Sequence, residues 1–111
     1  MINIEPIIEK VRKSLDCHRT ENGYARYPEK GDNEYGIADA LNIMFTIDDI
    51  PERSEITLLT ERLKDFQSPE TGLFDEGTHH PYHCTAHCIA ALELFQESPG
   101  YPVNALSEYR S

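Results

Sequence analysis

The sequence predicts an all-α fold, and three observations carry this prediction. Apolar residues recur every three or four positions in four separate stretches, which is the pattern of the buried face of a helix. Segments rich in Gly, Asn, Asp and Pro separate these stretches and indicate loops. No stretch has the regular apolar–polar alternation of a half-buried strand. At 111 residues, the chain is expected to form one domain with a single modest core.

The apolar spacing places each predicted helix in order along the chain. The apolar face of the first helix consists of Ile4, Ile7, Ile8, Val11 and Leu15. The fourth helix follows Thr78, a candidate cap, and has Pro81 near its first position, where a missing backbone N–H is tolerated. The predicted helices span residues 5–17, 34–46, 52–66 and 81–96, and a short fifth helix is expected at 103–109.

The charge and composition of the chain exclude some partners. The net charge is −10 and the pI is near 4.8, and the ten Lys and Arg residues are scattered, so no nucleic-acid-binding face is expected. No apolar run approaches the ~18 residues of a membrane span, and the acid-containing N-terminal segment is unlike a targeting signal. The cysteines number three, and two of them, Cys84 and Cys88, lie one helical turn apart. This arrangement favours reduced thiols and a cytoplasmic location.

The chain contains an internal repeat of about 50 residues. When Gly23 is set over Gly72, the flanking segments align without gaps, and after a two-residue insertion Leu41 falls over Leu92. Both glycines are expected at turn positions with unusual backbone angles. Because repeated hairpins bury their apolar faces by stacking on neighbours, the chain is expected to self-associate or to belong to a longer one. The predicted helical hairpins span about residues 5–47 and 52–96, with the start of a third at 103–111.

The second hairpin carries a family resemblance in its loop and in the start of its second helix. In Gln67–Phe74, QSPETGLF, a Gln begins the loop, an acidic residue and a Gly follow, and an aromatic residue closes it. This segment resembles the loop repeat of the terpenoid cyclase and protein prenyltransferase superfamily. Tyr82–Leu92 is similar to the start of an inner helix in a prenyltransferase β-subunit. The resemblance implies an α/α toroid of outer and inner helices, an architecture shared by cyclases, transferases, polysaccharide lyases and glycosidases.

A dense His/Cys cluster lies at the start of the fourth predicted helix. On a helix, His83 and His87 lie one turn apart, and Cys84 and Cys88 repeat that spacing beside them. Imidazole and thiolate groups are zinc ligands, so His83, Cys84 and His87 are candidate ligands of Zn²⁺, with further ligands from elsewhere in the chain. The alternative is that the cysteines are small buried residues and that the histidines hydrogen-bond to the loop.

The resemblance implies a second candidate metal site. In the prenyltransferases, the zinc ligands are an Asp and a Cys two residues apart at one inner-helix start and a His at a later one. The matching positions are Asp32, Glu34 and His83. Glu34 stands where the family has Cys, and a carboxylate there favours a harder ion than zinc. Asp32 is alternatively a helix cap.

The loops before the second and fourth predicted helices are expected to form a ligand-binding face. Their Tyr and His side chains can stack on a polar ligand such as a sugar, and Glu70 and Asp75 can supply carboxylates. The alternative is that these side chains pack the loops. The sequence thus predicts a repeat module that binds a ligand or protein partner, or else a toroid enzyme (whole or fragment) acting on a carbohydrate or isoprenoid. The expected face consists of Tyr24, Tyr27, Tyr35, His79, His80, Tyr82 and His83.

Overall fold

The computed structural model describes residues 4–21, 23–25, 31 and 33–105, and within them the chain is all-α, as predicted. The described residues contain no strand longer than an isolated bridge. The helices are α1 (Glu5–His18), α2 (Glu34–Thr46), α3 (Arg53–Lys64) and α4 (Pro81–Leu94).

Several helix boundaries differ from the predicted ones. Both α3 and α4 end two residues earlier than expected. The cap of α4 is His80 rather than Thr78, because the His80 Nδ1 accepts the Tyr82 backbone N–H at 3.2 Å while the Thr78 hydroxyl donates to Glu76. Of the predicted fifth helix at 103–109, the described residues include only the start, where 104–105 form a 3₁₀ turn; the remaining positions lie outside the described residues.

Helices α2 and α4 pack side by side and run parallel. Because they pack on each other, we call them the inner helices, and we call α1 and α3 the outer helices. Three contacts follow one another in the same order along both helices. They join Tyr35 to His83, Asp39 to His87 and Phe45 to Phe95. The first two pairs are each separated by 48 residues, so the contacts join positions one repeat apart. Beneath them, the core consists mainly of fully buried residues of these two helices, among them Ile37, Ala38, Leu41, Cys84, Cys88, Ala91 and Leu92.

Matching caps at the ends of the inner helices define the structural repeat. Asp48 and Gln96 lie two residues after the last residue of α2 and of α4 respectively. Both have positive φ, at 56° and 61°. The next backbone N–H in each case bonds back to the helix, to the carbonyl of Met44 or Leu92, at 2.9 Å. Met44 therefore corresponds to Leu92, and the two helices are one turn out of the register expected from matching Leu41 with Leu92.

Each cap also connects to the outer helix of its own hairpin. Asp49 accepts a hydrogen bond from Arg12 of α1 at 2.8 Å, and Glu97 accepts one from Lys64 of α3 at 2.7 Å. Both pairs are partly exposed, so each stabilises the fold only weakly. An ion pair of this kind occurs in each hairpin, which supports the structural repeat.

The loop of the second hairpin is fastened by Gln67 and Gly72. The Gln67 amide, which is buried, donates to the Gly72 carbonyl at 2.9 Å and to the Tyr101 carbonyl at 2.8 Å. Gly72 has a φ of 77°, which confirms the expectation of an unusual backbone angle there. A Cβ at this position would lie 2.0 Å from the Pro102 carbonyl oxygen, so the segment after α4 lies directly on the loop.

Candidate functional site

Tyr35, at the start of α2, is the centre of a cluster of aromatic rings. Its ring stacks on His79 with centroids 4.2 Å apart and on His87 with centroids 4.5 Å apart. Its hydroxyl lies 3.3 Å from the Nε2 of His83. Tyr35, His79, His83 and His87 form what we call the histidine–tyrosine cluster, which joins the N-terminal ends of the two inner helices.

Two carboxylates fix the orientation of histidines in this cluster. Asp39, one turn after Tyr35, accepts a hydrogen bond from the His87 Nε2 at 2.8 Å. Glu76, whose side chain is 1% exposed, accepts the backbone N–H of His79 at 2.6 Å and contacts its Nδ1 at 2.8 Å. The rings of His79 and His87 are therefore held in place by the fold.

Glu76 and Glu34 respond to burial in opposite ways. Burial alone would raise the pKa of Glu76, but hydrogen bonds from the side chains and backbone of Thr78 and His79 lower that pKa to about 2. Burial raises the pKa of Glu34, and the neighbouring charge of Glu76 adds to this effect. One carboxylate is thus strongly acidic and the other weakly acidic beside the same cluster.

The bond between Asp39 and His87 determines what the imidazole can do. In the neutral imidazole, an Nε2 that donates to Asp39 leaves the lone pair on Nδ1. A histidine oriented in this way by a carboxylate is the arrangement of a general base. The His87 side chain is 24% exposed, so a small polar molecule can approach it.

The candidate zinc ligand Cys84 lies in the core rather than at the surface, as does Cys88. Cys84 and Cys88 are fully buried in the core, and the Cys88 Sγ faces the backbone carbonyl of Glu34 at 3.9 Å. A hydrogen bond with Cys84 and burial raise the pKa of the Cys88 thiol. His83, by contrast, is exposed.

The part of the chain that the structure describes contains no group of three or more His, Cys, Asp or Glu side chains arranged to hold a metal ion. Asp32 falls outside the described residues. Asn33 caps α2 instead, accepting the Gly36 backbone N–H at 2.6 Å. Metal binding by His83, Cys84, His87 and Asp32 remains a prediction.

The expected ligand face is assembled in part. His80 and Tyr82 are exposed beside the histidine–tyrosine cluster, with ring centroids 5.1 Å apart. Tyr24, by contrast, is 2% exposed in the core, where burial raises its pKa and its hydroxyl accepts from Arg19 at 3.0 Å. It is therefore not part of an exposed face. Tyr27 lies outside the described residues.

Sequence reasoning missed the carboxylates that contact the histidines. Glu70 and Asp75 were expected there, yet Glu70 contacts Ser68 and Asp75 accepts the Gly77 backbone N–H at 3.0 Å. Glu76 takes that place, and its position three residues before His79 was an available signal. Asp39 was detectable only from the repeat register, because it lies 48 residues before His87.

Comparisons of this chain with models of known protein families, with curated proteins and with solved structures found no match. Among the described helices, none combines the length and apolar character needed to cross a membrane.

Proposed function

We propose that the chain is a helical-hairpin repeat module that binds a polar ligand or a protein partner through the histidine–tyrosine cluster and the adjoining His80 and Tyr82. The family resemblance supports placing this module in a larger or oligomeric α/α toroid. The observation that carries the binding proposal is the contact between Tyr35 and three histidine rings at the shared end of two inner helices.

The chemistry of this face favours a carbohydrate among polar ligands. The exposed rings of His80, Tyr82 and His83 offer flat surfaces to the C–H faces of a sugar, while imidazole nitrogens bond its hydroxyl groups. Asp39 and Glu76 hold His87 and His79, so this part of the face is positioned before any ligand arrives. Such preorganisation reduces the entropic cost of binding.

A second candidate function is enzymatic, and the bond between Asp39 and His87 favours it. In that case His87 would take a proton from a hydroxyl group or water molecule of a carbohydrate substrate, and Asp39 would hold the ring. An isoprenoid substrate fits this polar face less well. A bound metal ion such as Zn²⁺ is part of this candidate and needs ligands beyond those described.

One titration tests both candidates. Neutral malto-, cello- and chito-oligosaccharides are added to the full chain, with and without Zn²⁺, while the His and Tyr ring signals are followed by NMR. We expect the signals of His83 and Tyr82 to shift in a saturable way with at least one sugar. The double variant His83→Ala/Tyr82→Ala should bind about tenfold more weakly or worse.

The matched control is Tyr101→Ala, which removes an exposed tyrosine that is not part of the cluster and should bind like the unmodified chain. Absence of any saturable shift would exclude the carbohydrate class, and unchanged affinity in the double variant would exclude this face. New anomeric signals that depend on His87 would favour the enzyme over the binding module. A response that requires Zn²⁺ and is lost in His83→Ala/His87→Ala would identify metal ligands.

A further inference from the structure

The outer helices α1 and α3 have corresponding apolar residues with different burial. With the 48-residue offset of the inner helices, Val11 corresponds to Leu59 and Leu15 to Leu63. Leu59 and Leu63 are buried, whereas Val11 and Leu15 are only half-buried and α1 contributes no buried residue. Ile7 of α1 is 60% exposed. The apolar face predicted for α1 is present but mostly uncovered.

A groove of about 270 Å³ runs between α1 and α2 along this uncovered face. One side of the groove is formed by α2. With the 48-residue offset, the α2 residues on this side correspond to the α4 residues that face α2. Gly36 is the counterpart of Cys84, and Ala40 is the counterpart of Cys88. The groove is lined by Val11, Ser14, Leu15, Gly36, Ala40 and Ile43, among others.

The opposite end of the repeat presents the complementary surface. Ala38 and Leu41 are fully buried on α2, which packs chiefly against α4. Their counterparts on α4 are Ala86, which is exposed, and Ile89, which is half-buried. Helix α4 therefore carries two apolar residues at the positions of Ala38 and Leu41, and Ala86 is left exposed.

We propose that the groove between α1 and α2 receives α4 of a second copy of this chain. The interface repeats the parallel packing of α2 on α4 that exists within one chain. Because the two surfaces differ and lie at opposite ends of the molecule, the association is head-to-tail and produces a closed ring or a longer array. Asp39, which holds His87, also lines the groove, so this surface adjoins the histidine–tyrosine cluster. The association does not depend on a ligand.

The charge of the chain gives the association a characteristic salt dependence. Each copy carries a net charge of −10, so two copies repel each other at low ionic strength. At about 0.15 M salt the screening length falls to about 8 Å, which weakens this repulsion and leaves the apolar contact. We expect association to strengthen as salt is added.

The test is sedimentation of the full chain over a range of concentrations, with two variants that block one surface each. Ser14→Arg places a charge in the groove, and Ala86→Arg places one on α4. Both positions are exposed, so folding should be retained, as circular dichroism will verify. Each variant alone should associate at least about tenfold more weakly than the unmodified chain.

Mixing the two variants identifies the geometry. The intact groove of Ala86→Arg can still receive the intact α4 of Ser14→Arg, so the mixture should form a one-to-one dimer that does not extend. The control Ser98→Arg, which adds the same charge at another exposed site, should associate normally. A monomeric unmodified chain, association unaffected by either blocking variant, or a mixture that stays monomeric would each overturn the proposal.

Discussion

The two hairpins have similar apolar patterns but different degrees of burial. Leu15 of α1 and Leu63 of α3 hold corresponding positions, yet only Leu63 is fully buried. Helix α3 packs on α2, and the segment after α4 lies along its C-terminal end, where Lys64 meets Glu97. Helix α1 is separated from part of α2 by the groove. The packing of neighbouring helices and segments therefore determines how much of the apolar face of each hairpin is buried.

The largest expected effect comes from shortening the two corresponding leucines. Leu63→Ala should lower the free energy of unfolding by about 3–4 kcal/mol, because it removes a fully buried side chain and leaves a cavity. Leu15→Ala should cost only about 1 kcal/mol, since its side chain already faces the groove. Urea unfolding of dilute samples measures both. Equal losses would mean that the hairpins are equally packed in solution.

A smaller effect is expected from the glycines of the second loop. Gly72→Ala should cost about 2–3 kcal/mol, because the new Cβ would lie 2.0 Å from the Pro102 carbonyl oxygen and displace the segment on the loop. Gly77→Ala is the control, as it also has a positive φ but open space around it, and should cost about 1 kcal/mol. Unfolding gives the energies, and hydrogen exchange at residues 101–105 should rise only in Gly72→Ala. Exchange that is unchanged would show that this segment does not hold the loop.

The smallest expected effect distinguishes one carboxylate of each hairpin by its pH dependence. The pKa of Glu76 is lowered to about 2, so its stabilising contribution is present above its ordinary pKa of 4.5 and is lost as pH falls towards 2. Glu76→Gln should therefore cost about 1–2 kcal/mol at pH 7 and little in strong acid.

The sign reverses for Glu34, whose pKa is raised by burial. Its contribution is present below its ordinary pKa of 4.5 and is lost as pH rises through the raised pKa. Glu34→Gln should thus leave the stability at pH 7 unchanged or increase it by about 1 kcal/mol. The measurement is urea unfolding of each variant between pH 3 and 7. A loss of stability at pH 7 in both variants would contradict the opposite pKa shifts of Glu76 and Glu34.

The sequence was sufficient for elements with a local signal. The bounds of α2 were predicted without error, since its apolar spacing is complete and loop residues precede it. The positive φ at Gly72 followed from the turn chemistry of its loop. The cap of α4 was missed because the His80 ring caps the helix, whereas Ser, Thr, Asp and Asn are the usual capping residues.

The candidate site was less accessible to sequence reasoning because it depends on how helices pair. Spacing placed His83 and His87 on one helical face, but it did not identify Tyr35 and Asp39 as the residues opposite. The register of the inner helices was misjudged by one turn, since similar Ala and Leu residues recur at more than one offset. Tyr24 was assigned to the surface from its loop composition, whereas the fold turns its side chain into the core.

The 48-residue separation of the inner-helix contacts also has a consequence for how the protein folds. Helical proteins rich in local contacts fold quickly, but here the contacts that join the two hairpins can form only after a long stretch of chain has been brought together. Closing such a stretch costs conformational entropy before α2 gains its principal packing partner. During synthesis, the first hairpin leaves the ribosome before α4 exists, so α2 passes through a period in which its apolar face is exposed.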